Sequence, residues 1–214
     1  MSDKPFDRSK TAAVLTMLAA WLATMPGTLS AAPYSESPVR FVVTTGITTG
    51  GDTIEKIEYN HGGSATIKGG GLVQIGGGVQ YHRPYSAFSA LATLNYHIDS
   101  ATARNGDAYF DRVPLELLGF YHLNEWWRIG GGLRYTMNPT FTEKFDYEDR
   151  ITIDYKNATS LVLQVGFGTE RFWGALRYVN ESFDAERLTV GRFSAPYHHT
   201  DDGSHVGLFG YFLF

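Results

Sequence analysis

The sequence contains no cysteine among its 214 residues. This absence excludes a disulfide scaffold, a thiol nucleophile, and zinc or iron–sulfur sites that depend on cysteine ligands. Charged residues are also scarce, at 19%, which argues against a coiled coil or an acidic disordered chain. The pI near 5.9 gives no basis for nucleic-acid binding, so we expect no nucleic-acid partner.

Long hydrophobic runs are missing as well. A helical membrane protein needs several apolar runs of about 20 residues, and the mean hydropathy of this chain is only -0.19. The apolar run at residues 12–25 follows Lys4, Arg8 and Lys10 and precedes small residues at 30–32. This order is typical of a secretory signal peptide. We therefore predict a signal peptide over 1–32 and an exported mature chain over 33–214.

Glycine and aromatic residues, in contrast, are abundant, and the mature chain alternates between apolar and polar positions. Over residues 71–83 the odd positions include Val73 and Ile75, whereas Gln74 and Gln80 occupy even positions. Such a period of two predicts strands rather than helices. The predicted strands cover 38–50, 70–83, 86–98, 109–122, 126–139, 158–169, 172–182 and 204–214.

Short and long connections alternate between these strands. The joints near 84–85, 123–125 and 170–171 are tight, while the joints at 51–69, 99–108, 140–157 and 183–203 are longer and polar. Outer-membrane barrels have short periplasmic turns, long external loops and an even number of strands. The sequence therefore predicts an all-β fold, an eight-stranded antiparallel up-and-down transmembrane β-barrel.

Aromatic residues cluster at the two predicted ends of the barrel, as expected for two membrane interfaces. The short-turn end has Tyr85, Phe88, Tyr121, Trp126, Trp127, Phe172, Trp173 and Phe214, and the long-loop end has Tyr96, Tyr109, Phe110, Tyr135, Tyr155 and Tyr178.

The last strand ends in phenylalanine with alternating apolar positions before it, including Tyr211, Phe212 and Phe214. This ending resembles the signal by which bacterial outer-membrane barrels reach their assembly machinery. Over residues 33–214 the layout is similar to the small eight-stranded barrels of the OmpA transmembrane-domain, OmpX and Opa kind. The resemblance implies the outer membrane of a Gram-negative envelope, with outer-membrane lipid, lipopolysaccharide and the assembly machinery as partners.

The inward-facing parity collects charges of both signs. We predict a luminal charge network in which Glu116 and Arg134 lie opposite each other by hairpin register; its members are Arg40, Arg112, Glu116, Arg128, Arg134 and Arg177. Lone charges inside a narrow barrel are costly, so pairing is expected. The network is either a structural filling of the lumen or a gate in a narrow solute conduit. Pro114 cannot donate to the ladder and predicts a bulge beside Glu116.

The densest polar cluster of the chain lies in the last predicted loop and the start of the last strand. Its members are His198, His199, Asp201, Asp202 and His205. Such residues can bind a divalent metal, but the ligand spacings of known sites are missing, so we expect no metal and no cofactor. Lipid A deacylases use a His-x-Ser pair, and the nearest match here, His198-His199-Thr200, has threonine in place of serine.

We therefore expect a non-enzymatic envelope protein with a structural role or a role in interactions through its loops, without assigned catalytic residues. A lipid A-modifying hydrolase and a narrow conduit are the alternatives. Residues 141–155 also alternate and predict a hairpin that protrudes beyond the membrane, where a strand edge can pair with an extracellular protein partner.

Overall fold

The structure, a computed structural model, describes residues 37–58, 64–103, 106–145 and 149–214. The predicted signal peptide at 1–32 lies outside these residues. The described residues form fourteen strands: β1 (Val39–Gly50), β2 (Thr53–Glu58), β3 (Ser64–Lys68), β4 (Leu72–His82), β5 (Phe88–Ala103), β6 (Gly106–His122), β7 (Trp127–Phe145), β8 (Ile151–Tyr155), β9 (Ala158–Gly168), β10 (Phe172–Asn180), β11 (Ser182–Val190), β12 (Phe193–Pro196), β13 (Thr200–Asp202) and β14 (His205–Leu213). No helix in this part of the chain is long and apolar enough to cross a membrane.

Eight of these strands close into an antiparallel barrel. The order is β1, β4, β5, β6, β7, β9, β10 and β14, and the pairing of β1 with β14 completes the ring. The predicted eight-stranded antiparallel barrel is thus confirmed. A closed sheet has no free edge, so the backbone groups of the wall are paired within the ring.

Side chains alternate along the wall between an apolar outer surface and a filled interior. Each of the eight barrel strands has a large apolar residue exposed on the outside: Phe41, Ile75, Leu94, Leu117, Leu133, Leu163, Leu176 and Val206. Inward-facing positions such as Gln74, Thr93 and Glu116 are buried. The period of two read from the sequence therefore corresponds to the outside and the inside of the barrel.

Glycines let the wall strands approach closely. A Cβ atom on Gly78 would collide with the carbonyl oxygen of Ala92, and one on Gly132 would collide with that of Leu117. Both residues belong to mid-strand glycine runs. The collisions explain why side chains are missing at these points of a narrow barrel.

The barrel continues into a second body of structure at the long-connection end, which we call the cap. It comprises the ends of β5, β6 and β7 together with β2, β3, β8, β11, β12 and β13. The prediction of a polar loop at 99–108 is wrong, because β5 runs to Ala103 and β6 begins at Gly106. Strand pairing therefore extends well beyond the predicted barrel wall.

The register of the wall shifts once between β6 and β7. Asp111 pairs with Thr140, but Val113 pairs with Met137, so β7 has one extra residue there. Asn138 adopts a φ of 48° within this stretch, a left-handed conformation that asparagine tolerates better than most residues. The predicted bulge therefore lies on β7 opposite Arg112, and Pro114 itself pairs in register with Thr136.

Candidate functional site

A buried carboxylate, Glu116, is the centre of the lumen. Arg177 Nη1 lies 2.9 Å from its Oε1 and 3.0 Å from its Oε2. Arg134 Nη1 donates to Oε1 at 3.0 Å, and the side chains of all three residues are almost fully buried. Charge-assisted hydrogen bonds of this kind offset the loss of hydration of the three ions.

A second carboxylate, Glu181, joins this network just beyond the end of β10. It accepts hydrogen bonds from Ser160 Oγ at 2.9 Å and from Thr136 Oγ1, and Arg134 Nε lies 3.3 Å away. Glu181 was not among the predicted site residues. It lies four positions after Arg177 and therefore has the same inward parity. This parity could have identified Glu181 from the sequence.

Tyr211 also belongs to the lumen rather than to an exposed C-terminal signal. Its hydroxyl accepts a hydrogen bond from Arg177 Nη2 at 2.6 Å and donates to Gln164 Oε1 at 3.1 Å. Phe212 and Phe214, in contrast, are 38% and 76% exposed on the outside of the barrel. The three residues of the predicted assembly signal therefore divide between the two faces of β14.

An aromatic layer closes the lumen at the short-turn end. Trp173 is fully buried and stacks on Tyr211, with ring centroids 3.8 Å apart. Phe120 contacts the edge of Trp173, and the guanidinium of Arg128 lies 4.7 Å from the Trp173 ring centroid. The assignment of Trp173 to the outer aromatic band is therefore wrong, because its parity on β10 directs it inward.

The predicted charge network is not a single cluster. Arg112, Glu116, Arg134 and Arg177 lie in the middle and upper lumen, but Arg128 and Arg40 are at the short-turn end. Arg128 donates to the carbonyl oxygens of Gly168 and Thr169, and Arg40 pairs with Glu170 at 2.9 Å.

A second apolar core lies over the other end of the lumen, inside the cap. It contains Ile67, Ala108, Phe110, Phe141, Tyr155, Phe183 and Ala185. Phe110, Tyr155 and Phe183 contact one another edge to face, and the guanidinium of Arg112 lies 4.7 Å from the Phe110 ring centroid. Phe110 and Tyr155 were expected in the upper aromatic band, but both are buried in this core.

The lumen is thus built in three layers, and β6 passes through all of them. Its inward-facing residues are Phe120 and Leu118 at the short-turn end, Glu116 and Arg112 in the middle, and Phe110 in the cap. Apolar packing lies on both sides of the charged middle, and at the short-turn end it shares the lumen with the buried, hydrogen-bonded pair Gln80 and Ser89. This arrangement disfavours a continuous path for water or ions through the described barrel.

The polar cluster of the last predicted loop is divided among three environments. His205 is buried in the lumen, Asp201 is buried in the cap, and His198 and Asp202 are exposed. No group of three metal-binding side chains occurs in the described part of the chain. These residues are close along the chain, but the fold does not bring them together into one site.

Asp201 has two partners in the cap. The Tyr155 hydroxyl donates to its Oδ2 at 2.9 Å, and His199 Nε2 lies 3.3 Å from its Oδ1. Burial and the neighbouring carboxylate raise the pKa of Tyr155. Thr200, which corresponds to the serine of the deacylase pattern, donates instead to Asp184 Oδ1 at 2.7 Å. This bond assigns Thr200 to the β11–β13 contact rather than to a histidine.

Asp202 stabilises the turn into β14. Its Oδ1 accepts a hydrogen bond from Ser204 N at 2.9 Å. Hydrogen bonds from Ser204 lower the pKa of Asp202, because they stabilise the charged carboxylate. The backbone of Asp202 also pairs with Asp52: its N–H donates to Asp52 Oδ2 at 2.9 Å, and its carbonyl accepts from Asp52 N at 2.7 Å.

The predicted 141–155 hairpin exists, but neither of its sides is a free edge. β7 pairs with β6 on one side, and β8 pairs with β11 on the other. The sheet ends instead at β12, a four-residue strand whose side chains are all exposed. Pro196 lies in this strand and has no N–H to donate, which is a common protection of an edge against pairing with another chain.

No family model matches this chain, and none of the curated proteins searched matches it.

Proposed function

We propose that this chain is an integral protein of a bacterial outer membrane in which the barrel is a closed anchor and the cap makes external contacts. The single observation that supports this most strongly is the enclosure of the luminal charges between two apolar layers. A conduit requires an open polar route, whereas the centre of this lumen is filled by the buried, mutually paired side chains of Glu116, Arg134 and Arg177. The parts of the described chain left for recognition are therefore the surfaces at its two ends.

The outer surface of the wall supports the membrane assignment. Trp127 and Tyr135, both exposed on β7, are eight residues apart and mark its lower and upper aromatic positions. Eight residues span about 26 Å along a strand. With the usual tilt of about 40° the belt is about 20 Å tall, close to the apolar band of about 25 Å in outer-membrane barrels. Phe212 and Phe214, exposed at the C-terminal end, suit recognition by the barrel assembly machinery.

The outer wall changes from apolar to polar above this belt. On β7 the outward parity passes from Leu133 and Tyr135 to Thr140 and Thr142. In the cap the same face includes Thr152, which pairs with both Thr142 and Thr189. Thr142 is itself buried, and Thr140, Thr152 and Thr189 are half-buried. Polar side chains in place of the apolar residues of the belt nevertheless suit a position outside the hydrocarbon.

The β11–β12 hairpin supplies the most exposed apolar residues of the cap. Phe193 is 83% exposed, and Val190 beside it in the register is 37% exposed. Large apolar side chains at a tip above a membrane belt are suited to contact with another molecule. We therefore assign interaction with an external partner to this hairpin.

Single-cysteine labelling tests the proposal, because the natural chain has no cysteine. Phe193→Cys introduces a thiol at the cap, and the matched variant Glu125→Cys introduces one in a short turn at the opposite end. A membrane-impermeant maleimide added to intact cells is expected to label the first variant only. After the outer membrane is opened, both are expected to react. Equal labelling in intact cells, or recovery of the protein in the soluble periplasmic fraction, would overturn the proposal.

A further inference from the structure

Arg112 differs from the other two arginines of the luminal centre because it lacks a carboxylate partner. Arg134 and Arg177 both contact Glu116. Among the described residues no carboxylate oxygen lies within ion-pair distance of Arg112. Its Nη2 donates to the carbonyl oxygen of Gly71 at 3.1 Å, but its Nε and Nη1 are buried without a protein partner. Unpaired donors on a buried cation are costly and call for a ligand.

Two buried acceptors in the same part of the lumen also lack a protein partner, Glu181 Oε2 and His205 Nε2. The backbone of Gly203 joins them, since its N–H donates to the Glu181 carbonyl at 2.9 Å and its carbonyl contacts His205 Nδ1 at 2.8 Å. The His205 ring centroid is 5.3 Å from that of His97, whose Nε2 is 3.2 Å from Arg112 Nη2. The unpaired donors and acceptors therefore belong to one neighbourhood.

The hydrogen bonds fix the role of each imidazole nitrogen. His205 Nδ1 faces a carbonyl oxygen, so it must carry the proton, and Nε2 of the neutral ring is an acceptor. His97 has the opposite tautomer, because its Nδ1 accepts from Arg134 Nη2 at 3.0 Å and its Nε2 donates to Thr48 Oγ1 at 2.9 Å. His97 Nε2 therefore cannot accept from Arg112 as well.

The mixture of donors and acceptors identifies the chemical class of the ligand. An anion would satisfy the Arg112 donors but would be repelled by Glu181, and a cation would be repelled by Arg112. Water both accepts and donates, and a buried water molecule ordinarily makes two to four hydrogen bonds. We propose that a buried water molecule accepts from Arg112 and donates to Glu181 Oε2 and His205 Nε2.

This water would connect the two upper layers of the lumen. Arg112 contacts the Phe110 ring of the cap core, whereas Glu181 contacts Arg134 of the charge network. The bridge would therefore give Arg112 an indirect ion-pair partner and hold the cap over the charged centre.

A high-resolution crystal structure of the full-length protein in detergent or lipid tests the site directly. We expect one spherical density feature within about 3.2 Å of Arg112 Nε or Nη1, Glu181 Oε2 and His205 Nε2. A direct Arg112–Glu181 ion pair would overturn the proposal. So would an anomalous signal from bromide at this point in crystals soaked in bromide, or a site without density.

A double-mutant cycle gives a second test that does not depend on crystals. Glu181→Gln retains an oxygen for Ser160, Thr136 and Arg134 but replaces the free acceptor with a donor, and Arg112→Gln removes the free donors. We expect each variant to lower the urea midpoint of unfolding and the double variant to lower it by less than the sum of the two. Additive shifts would show that the two side chains do not share a ligand. Glu181→Gln combined with Glu170→Gln, a carboxylate in a separate ion pair at the short-turn end, is the additive control.

Discussion

The charged centre of the barrel and the apolar core of the cap are both buried, but they are stabilised by different interactions. Glu116 is buried with two arginines within 3.0 Å, so the centre is held by directional hydrogen bonds between ions. The cap core has the rings of Phe110, Tyr155 and Phe183 in mutual contact and is held by apolar burial. The comparison teaches that this barrel is closed by an ionic centre with apolar layers on either side.

The two regions should also differ in how much of the structure is destabilised when one of their side chains is removed. The ion-paired residues Glu116, Arg134 and Arg177 of the centre come from β6, β7 and β10, all strands of the ring, so damage there should weaken the whole barrel. The cap core includes residues from β3, β8 and β11, which are outside the ring. Damage in the cap should therefore open the cap while leaving the ring closed.

The largest expected effect is that of Glu116→Ala. Removing the shared carboxylate leaves Arg177 without its ionic partner and Arg134 with Glu181 alone. Breaking a buried ion pair in this way costs about 3–5 kcal/mol. The free energy of unfolding, measured by urea titration of the protein in lipid vesicles, is expected to fall by that amount. Glu125→Ala, in an exposed turn, is the control, and equal stability of the two variants would contradict the ionic account of the centre.

Phe183→Ala should have a smaller effect that is confined to the cap. Truncation of a fully buried phenylalanine costs about 3–5 kcal/mol, but this residue packs outside the ring, so we expect little of that loss to reach the barrel. Protease sites in β11 and β8 are expected to become accessible, while the heat-dependent gel mobility typical of folded barrels persists. Phe193→Ala, at the exposed tip, should change neither property. Loss of the barrel in Phe183→Ala would show that the two regions unfold together.

Tyr155→Phe tests the one buried hydrogen bond that we describe within the cap core. The variant keeps the ring but removes the hydroxyl that donates to Asp201 at 2.9 Å. Loss of such a bond costs about 1–2 kcal/mol, and cap proteolysis is expected to speed up correspondingly. Tyr178→Phe removes an exposed hydroxyl from the outer wall and serves as the control. A proteolysis rate equal to that of the unmodified protein would assign the cap's stability to apolar contacts alone.

The smallest effect is expected for Glu170→Gln. This residue is 41% exposed in its pair with Arg40, and partly exposed pairs contribute about 0–1 kcal/mol. Unfolding should therefore shift little, and less still at high salt, where the pair is screened. A loss as large as that of Glu116→Ala would remove the distinction between buried and surface pairs.

The sequence predicted the wall well because each wall strand separates two different environments. Apolar residues such as Leu133 alternate with inward residues such as Arg134, so parity indicates both the strand and its orientation. The error at Trp173 arose because an aromatic residue near a strand end was assigned by its position along the strand. Its inward parity, the same as that of Arg177, was the better guide.

The cap could not be predicted in the same way. The outer face of its strands carries threonine and charge rather than a distinctive apolar pattern, as we expect for strands that lie above the proposed membrane belt. The extra residue near Asn138 also reverses the parity of β7 beyond that point. The contacts that define the cap, such as Tyr155 with Asp201, join residues 46 positions apart, and local periodicity contains no information on such pairs. For the same reason the His198–His205 cluster was predicted together but separates in space.

Single-channel recording in planar lipid bilayers tests the central claim, a membrane barrel whose lumen is closed. The sample is full-length protein that shows the gel mobility of the folded barrel, with insertion verified by protease protection in matching vesicles. We predict that the current stays at the baseline of the bilayer at both polarities. Reproducible conductance steps from the inserted protein would contradict the closed lumen and favour the conduit instead.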